Sequence, residues 1–172
     1  MFEVGSKAAY RSHGIVKICG IESKHVGGQK QNFYILHILN SGVRIMEPVA
    51  SSHEMMRAIV NKDTVDQVFG TLMRPVEIIK RSWNQRHREY LEKLSTDSII
   101  KVAEVLRDLW WQKQVKAMSL DEKIMYQKAI SFLREEISVA RDLDSEVAEA
   151  LIIQCLEKAY LESDDVIEGI SS

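Results

Sequence analysis

Gln31-Asn32-Phe33-Tyr34-Ile35-Leu36-His37-Ile38-Leu39-Asn40-Ser41-Gly42-Val43-Arg44-Ile45-Met46-Glu47-Pro48 is the stretch after which the chain changes character. Its apolar residues repeat with the period of two that belongs to strands, and Asn40-Ser41-Gly42 interrupts them as a turn. Tyr34, Leu36 and Ile38 fall on one face of the first strand, with Phe33, Ile35 and His37 on the other. In the second, Val43 and Ile45 share one face and Arg44, Met46 and Pro48 the other. A strand that ends in proline reads as a sheet edge, because proline has no N–H to give to a neighbouring strand. Such an edge, carrying arginine and methionine, suits pairing with a strand of another protein, or is simply guarded by its charge and proline.

Toward the N-terminus, residues 7–10 and 14–26 are further β-type runs, and 31–39 and 43–49 complete the set. Gly27-Gly28 lies between two runs and predicts a tight hairpin. Four or five short strands in about fifty residues imply a small, strongly bent sheet or barrel. Beyond Pro48 glycine nearly vanishes and helical periodicity takes over. Thr64-x-x-Gln67, Ser82-x-x-Gln85 and Ser119-x-x-Glu122 have the spacing of capping boxes. They predict helices over 62–73, 82–94 and 119–142, with two more over 97–113 and 144–161. Pro75 breaks the chain after the first. The predicted class is α+β, β then α: a small, strongly bent sheet or barrel over 1–52, a linker over 53–61, and a compact bundle of about five helices over 62–172.

Of the 172 residues, 45% are apolar and 28% charged, which is the balance of a globular protein with material for a core. The apolar runs are too short for a transmembrane helix. The N-terminus lacks the basic and apolar regions of a secretory signal, so a cytoplasmic protein with reduced Cys19 and Cys155 is expected. The net charge of −2 hides an asymmetry: from residue 142 onward there are nine acidic residues and one basic, while residues 1–141 carry 22 basic and 16 acidic. A basic body of this kind is compatible with nucleic-acid contact. The end, 162–172, reads as a solvated, frayed acidic helix.

Enzyme chemistry has no support. The chain has no phosphate-binding glycine loop, nucleophile elbow or paired metal-ligand spacing, and its five histidines are scattered. No catalytic residue, metal or cofactor is expected. The more informative constellation is Ser82-Trp83-Asn84-Gln85-Arg86-His87-Arg88-Glu89-Tyr90, preceded by Lys80 and Arg81. On a helix, Trp83, Arg86, His87, Tyr90, Leu91 and Leu94 form one stripe, in which Tyr90, Leu91 and Leu94 are expected core. Trp83 is open to two readings: an extension of that core, or an apolar wedge among cations of the kind that enters an opened minor groove. Of Trp110-Trp111, the first continues the stripe of Ala103 and Leu106, which leaves Trp111 the exposed one.

Taken together, these residues resemble the CarD/CdnL family of bacterial transcription regulators over nearly the whole chain. The carrying motifs are Phe2-x-Val4-Gly5, Tyr10-x-x-His13-Gly14, Gln31-x-Phe33-Tyr34 and Arg44-Ile45-Met46-x-Pro48. Further along come Trp83-Asn84-x-Arg86-x-Arg88-Glu89-Tyr90-x-Glu92-Lys93 and Ala103-Glu104-Val105-Leu106-Arg107-Asp108-Leu109. The resemblance implies a Tudor-like N-terminal domain that docks on the β subunit of RNA polymerase through Lys24, Arg44, Met46 and Pro48. It also implies a helical domain that contacts promoter DNA through Trp83, Arg86, Arg88 and Lys123, with Trp83 wedged in the minor groove near the −10 element and stabilising the open complex. A monomer associated with the nucleoid through polymerase is expected. Four positions depart from the pattern: Gln85 and Ile124 stand where basic residues are common, Arg11 replaces a usual proline, and Glu47 a usual apolar residue. The two lost cations motivate an alternative, a protein-interaction module without productive DNA binding.

Overall fold

A computed structural model describes residues 1–76 and 83–171, with the side chains of Trp83 and 164–171 outside the description. The chain divides into two units, Met1–Ile59 and Val60–Ser172. In the first, β1 (Lys7–Tyr10), β2 (Gly14–Val26), β3 (Gln29–Ile38) and β4 (Arg44–Pro48) are followed by a 3-10 turn (Val49–Ser51), α1 (Ser52–Met55) and β5 (Met56–Arg57). The strands form one antiparallel sheet in the order β4-β3-β2-β1-β5. Gly27 and Gly28 have φ of +58° and +80°, the left-handed pair that a two-residue hairpin with the right twist needs, and they join Val26 directly to its partner Gln29.

Two features curl this sheet. Cys19 is an extra residue between the pairs Ile18–Leu36 and Gly20–Ile35, a bulge that bends β2. The Tyr10 hydroxyl donates to Glu47 Oε2 at 2.8 Å, linking β1 to β4 although two strands lie between them. In a flat sheet those strands would be about 14 Å apart with side chains pointing away from the plane. The concave side holds the core: Ala8, Val16, Ile18, Tyr34, Leu36, Ile38 and Met56. Tyr34, Leu36 and Ile38 thus share the buried face that their alternation predicts.

Residues 53–57, placed by the sequence in a linker, instead complete this unit. Met56 and Arg57 pair with Tyr10 and Ala9, and Met56 enters the core. A two-residue strand is too short to leave a periodic signal, and its pairing with β1 together with the burial of Met56 holds it.

The second unit is helical: α2 (Lys62–Leu72), α3 (Trp83–Ser95), α4 (Ile99–Val115), α5 (Leu120–Arg141) and α6 (Ser145–Ser171). α4 touches all four others and its Val102, Ala103, Val105, Leu106 and Leu109 are buried, joined by Leu72, Leu133, Ile137, Ile152 and Leu156. The Ser119–Glu122 capping box forms as its spacing predicts. At α2 the cap differs: Asn61 is the N-cap, accepting from the Thr64 N–H at 2.9 Å, and Thr64 lies inside the first turn. Asparagine outranks threonine as a cap, so the earlier residue wins. The Ser82–Gln85 box begins on a residue outside the description. α6 continues to Ser171, past the expected end at Leu161; no proline or glycine intervenes before Gly169. Among the described residues no helix is long and apolar enough to cross a membrane.

Candidate functional site

Register assigns the candidate residues of the sheet to one face. In an antiparallel ladder, directly paired residues share a face. Arg44 pairs with His37, Met46 with Ile35 and Pro48 with Phe33, while Ile35 pairs with Gly20 and Gln31 with Lys24. Lys24, Arg44, Met46 and Pro48 therefore all lie on the convex face, opposite the core. The structure brings two of them into contact: Lys24 Nζ donates to Met46 Sδ at 3.2 Å. Thioether sulfur is a weak acceptor, so this contact orients more than it stabilises. Met46 is 38% exposed for a side chain that prefers burial, and Arg44 and Lys24 are exposed beside it.

Sequence reasoning missed the floor of this surface. Ile35, on the convex face, is nonetheless buried, and a shallow recess of about 260 Å³ is lined by Glu22, Ile35, Arg44, Ile45 and Met46. The available signal was register: Glu22 pairs with Phe33 and so shares the face of Ile35. Among the described residues β4 pairs only with β3 and has no neighbour on its other side in the sheet. It is held from behind by Glu47, 8% exposed, whose carboxylate accepts from Tyr10. Burial and the adjacent carboxylate, each disfavouring phenolate, push the Tyr10 hydroxyl up to about 12.

The second set of candidates belongs to the helical unit. Trp83 opens α3, and its side chain, on which the wedge reading depends, lies outside the description. Arg88 is exposed on the same helix, and Lys123 is exposed in the first turn of α5 beside Ile124 and Leu120, which are also exposed. Arg86 differs from both. It is half-buried and its Nη1 donates to Gln112 Oε1 at 3.1 Å. Gln112 Nε2 donates in turn to Glu122 Oε1 at 2.9 Å, and Glu122 Oε2 accepts from the Ser119 N–H at 2.9 Å. Arg86 is thus committed to a polar chain that crosses α3, α4 and the start of α5. A recess of about 310 Å³ lies over this chain, lined also by Lys116, Ala117 and Met118. Gln112 had no sequence signal. Glu122 had one, the capping box, although its burial to 6% exposure was not evident from it.

The remaining helical expectations divide. Tyr90 and Leu94 are core, but Leu91 is 48% exposed. α3 packs mainly on α4 and α5, so its buried arc is narrow and a residue 100° round from Tyr90 falls outside it. Trp110 is buried as predicted. Trp111, expected to be exposed, is half-buried with its ring edge-on to Tyr160 at 5.3 Å, and Trp110 meets the same ring at 5.7 Å. The central position of α4 buries more than one of its faces. Lys93 and Glu104 form a 2.9 Å ion pair between α3 and α4, and burial pushes the Asp108 carboxyl up against the opposing pull of Arg107.

Comparison with known proteins matches these two units separately. The model of the CarD-like/TRCF RID domain covers residues 2–60. That of the CarD C-terminal domain covers residues 67–153. The chain is also 29% identical over 146 residues to a Bacillus subtilis (strain 168) protein named "Putative transcription factor YdeB", an alignment spanning 83% of this chain and 94% of that protein.

Proposed function

Because this chain belongs to the CarD/CdnL family of transcription regulators, we propose that it bridges RNA polymerase and promoter DNA and prolongs the open complex. Residues 1–59 form the polymerase-interacting part, docking on the β subunit through Lys24, Arg44, Met46 and Pro48. Residues 62–172 form the DNA-contacting part, with Trp83 at the upstream edge of the bubble. The protein acts as a cytoplasmic monomer without catalysis. The observation that carries this reading is β4 itself: an edge strand presenting Arg44 and Met46, with Lys24 drawn onto Met46.

The mechanism is tethering combined with selective binding. Docking through the sheet raises the local concentration of a weak DNA-binding surface. A tryptophan wedge gains contact only where the groove has opened, so it shifts the population toward the open state without needing sequence readout. Arg88 and Lys123, both exposed, supply phosphate contacts. The hydrogen bond of Arg86 to Gln112 favours a second reading, an interaction module with little DNA affinity, because it occupies part of one expected phosphate ligand.

Trp83→Ala separates the two. In the bridging reading, polymerase binding is retained and the open-complex lifetime falls toward its value without the protein. An unchanged lifetime with intact polymerase binding supports the interaction module. Arg44→Glu tests the other half, and undiminished polymerase binding by it would overturn the role given to β4.

A further inference from the structure

Two turns of helix carry the residues proposed to touch DNA: the first of α3, with Trp83, and the first of α5, with Lys123. They are remote in sequence, and a surface made from both works only if their separation is fixed. The buried residues of α3 among those described, Tyr90 and Leu94, lie in its second half, so core packing holds that end of the helix rather than its first turn. The Arg86–Gln112–Glu122 chain runs between them. Its geometry is specific, because an amide is a donor on one side and an acceptor on the other. Gln112 Oε1 takes the guanidinium of α3, and Gln112 Nε2 reaches the carboxylate of α5. Neither a carboxylate nor an apolar side chain at 112 satisfies both partners.

The far end is equally constrained. Glu122 is buried and both its oxygens are engaged, one by Gln112 and one by the Ser119 N–H. Its own N–H donates to Ser119 Oγ at 3.2 Å, so the carboxylate cannot shift without opening the first turn of α5. Lys123 is the next residue. At the near end, Arg86 lies one turn beyond Trp83. Gln112 is also anchored by its backbone, whose carbonyl accepts from the Lys116 N–H at 2.9 Å where α4 ends.

We propose that Gln112 is a positioning residue for the DNA-contacting surface, holding the first turn of α3 in register with the first turn of α5. This rests on the bridging reading above. The Arg86 guanidinium is then structural in its Nη1, and its Nε is buried as well, which gives the half-buried arginine a role distinct from that of the exposed Arg88.

The test uses Gln112→Met in the full-length protein, which keeps the side-chain length and removes both hydrogen bonds. Polymerase affinity and the open-complex lifetime at saturating protein are measured together, in the wild-type and Trp83→Ala backgrounds. The expected result is unchanged polymerase affinity, a lifetime roughly fivefold shorter, and no further shortening when the change is added to Trp83→Ala. A purely structural residue would not act through Trp83, so equal shortening in both backgrounds overturns the proposal, as does an unaltered lifetime. If Trp83→Ala alone leaves the lifetime unchanged, the bridging reading fails, and with it the premise. Should Gln112→Met not fold, Gln112→Asn replaces it: the amide is kept but is one methylene too short to span both partners.

Discussion

Tyr10→Phe removes one oxygen atom and cuts a side-chain link from β1 to β4. Glu47, 8% exposed, loses a donor to its carboxylate, the kind of hydrogen bond worth about 1.5–3 kcal/mol. Tyr10 is itself only half-buried, so water partly replaces the lost donor and about 1.5–2 kcal/mol is the appropriate range. All three tryptophans lie beyond residue 82, outside this unit, and amide hydrogen exchange along β3 and β4 is the assay. The expected loss of protection at the Leu36 and Ile45 amides is roughly 10- to 30-fold. The double variant Tyr10→Phe/Glu47→Leu should recover most of it, since removing both partners leaves no stranded carboxylate. The phenol also sets a pH window. Its value in the fold, about 12, is above its ordinary 10, so the contribution is complete below pH 10 and fades as pH rises through 12. A change in exchange of less than about threefold for Tyr10→Phe would refute the reasoning, because the curl would then be held by packing and the Cys19 bulge alone.

Ser119→Ala removes the hydroxyl half of the α5 capping box and should lower stability by about 1 kcal/mol in chemical denaturation followed by tryptophan fluorescence. Leu106→Ala empties a fully buried position on the central helix, for which about 3–4 kcal/mol is expected in the same measurement. Gly27→Ala places a Cβ on a residue with φ of +58°, with open space around it. The cost is therefore conformational, about 1 kcal/mol, seen as faster exchange at the Val26 and Gln29 amides while polymerase binding at saturation persists.

The strands and helices were legible because their periods are strong and their punctuation explicit. Tyr34, Leu36 and Ile38 alternate cleanly, Gly27-Gly28 marks a hairpin, and Ser119–Glu122 declares a helix start. The failures share a cause. Met56 and Arg57 form a strand too short for periodicity, and Leu91 and Trp111 depart from expectation because helical spacing gives a direction but not the width of the buried arc. That width depends on how many neighbours a helix has, which is a tertiary property. Candidate site residues in the sheet follow from register once the bulge at Cys19 is known, and a bulge leaves no trace in composition.

Glu47 and Glu122 show how a fold presents residues by holding their neighbours. Each is a buried carboxylate, one accepting from Tyr10 and the other from Gln112 and the Ser119 N–H. Each is followed or flanked by residues proposed to meet a partner: Met46 and Pro48 on β4, Lys123 on α5. On a strand the period of two turns the flanking side chains to the opposite face, and on a helix the next residue points 100° away. A buried acid is a poor source of net stability, since desolvation offsets much of what its hydrogen bonds return. Its directional bonds do fix a side chain in one orientation, which a leucine in the same place would not. With Tyr10 bonded to it, Glu47 contributes orientation of the edge where an apolar side chain would contribute packing. On this account Glu47→Leu alone strands the Tyr10 hydroxyl, loosens β4 and weakens polymerase binding, even where it leaves the melting temperature unchanged.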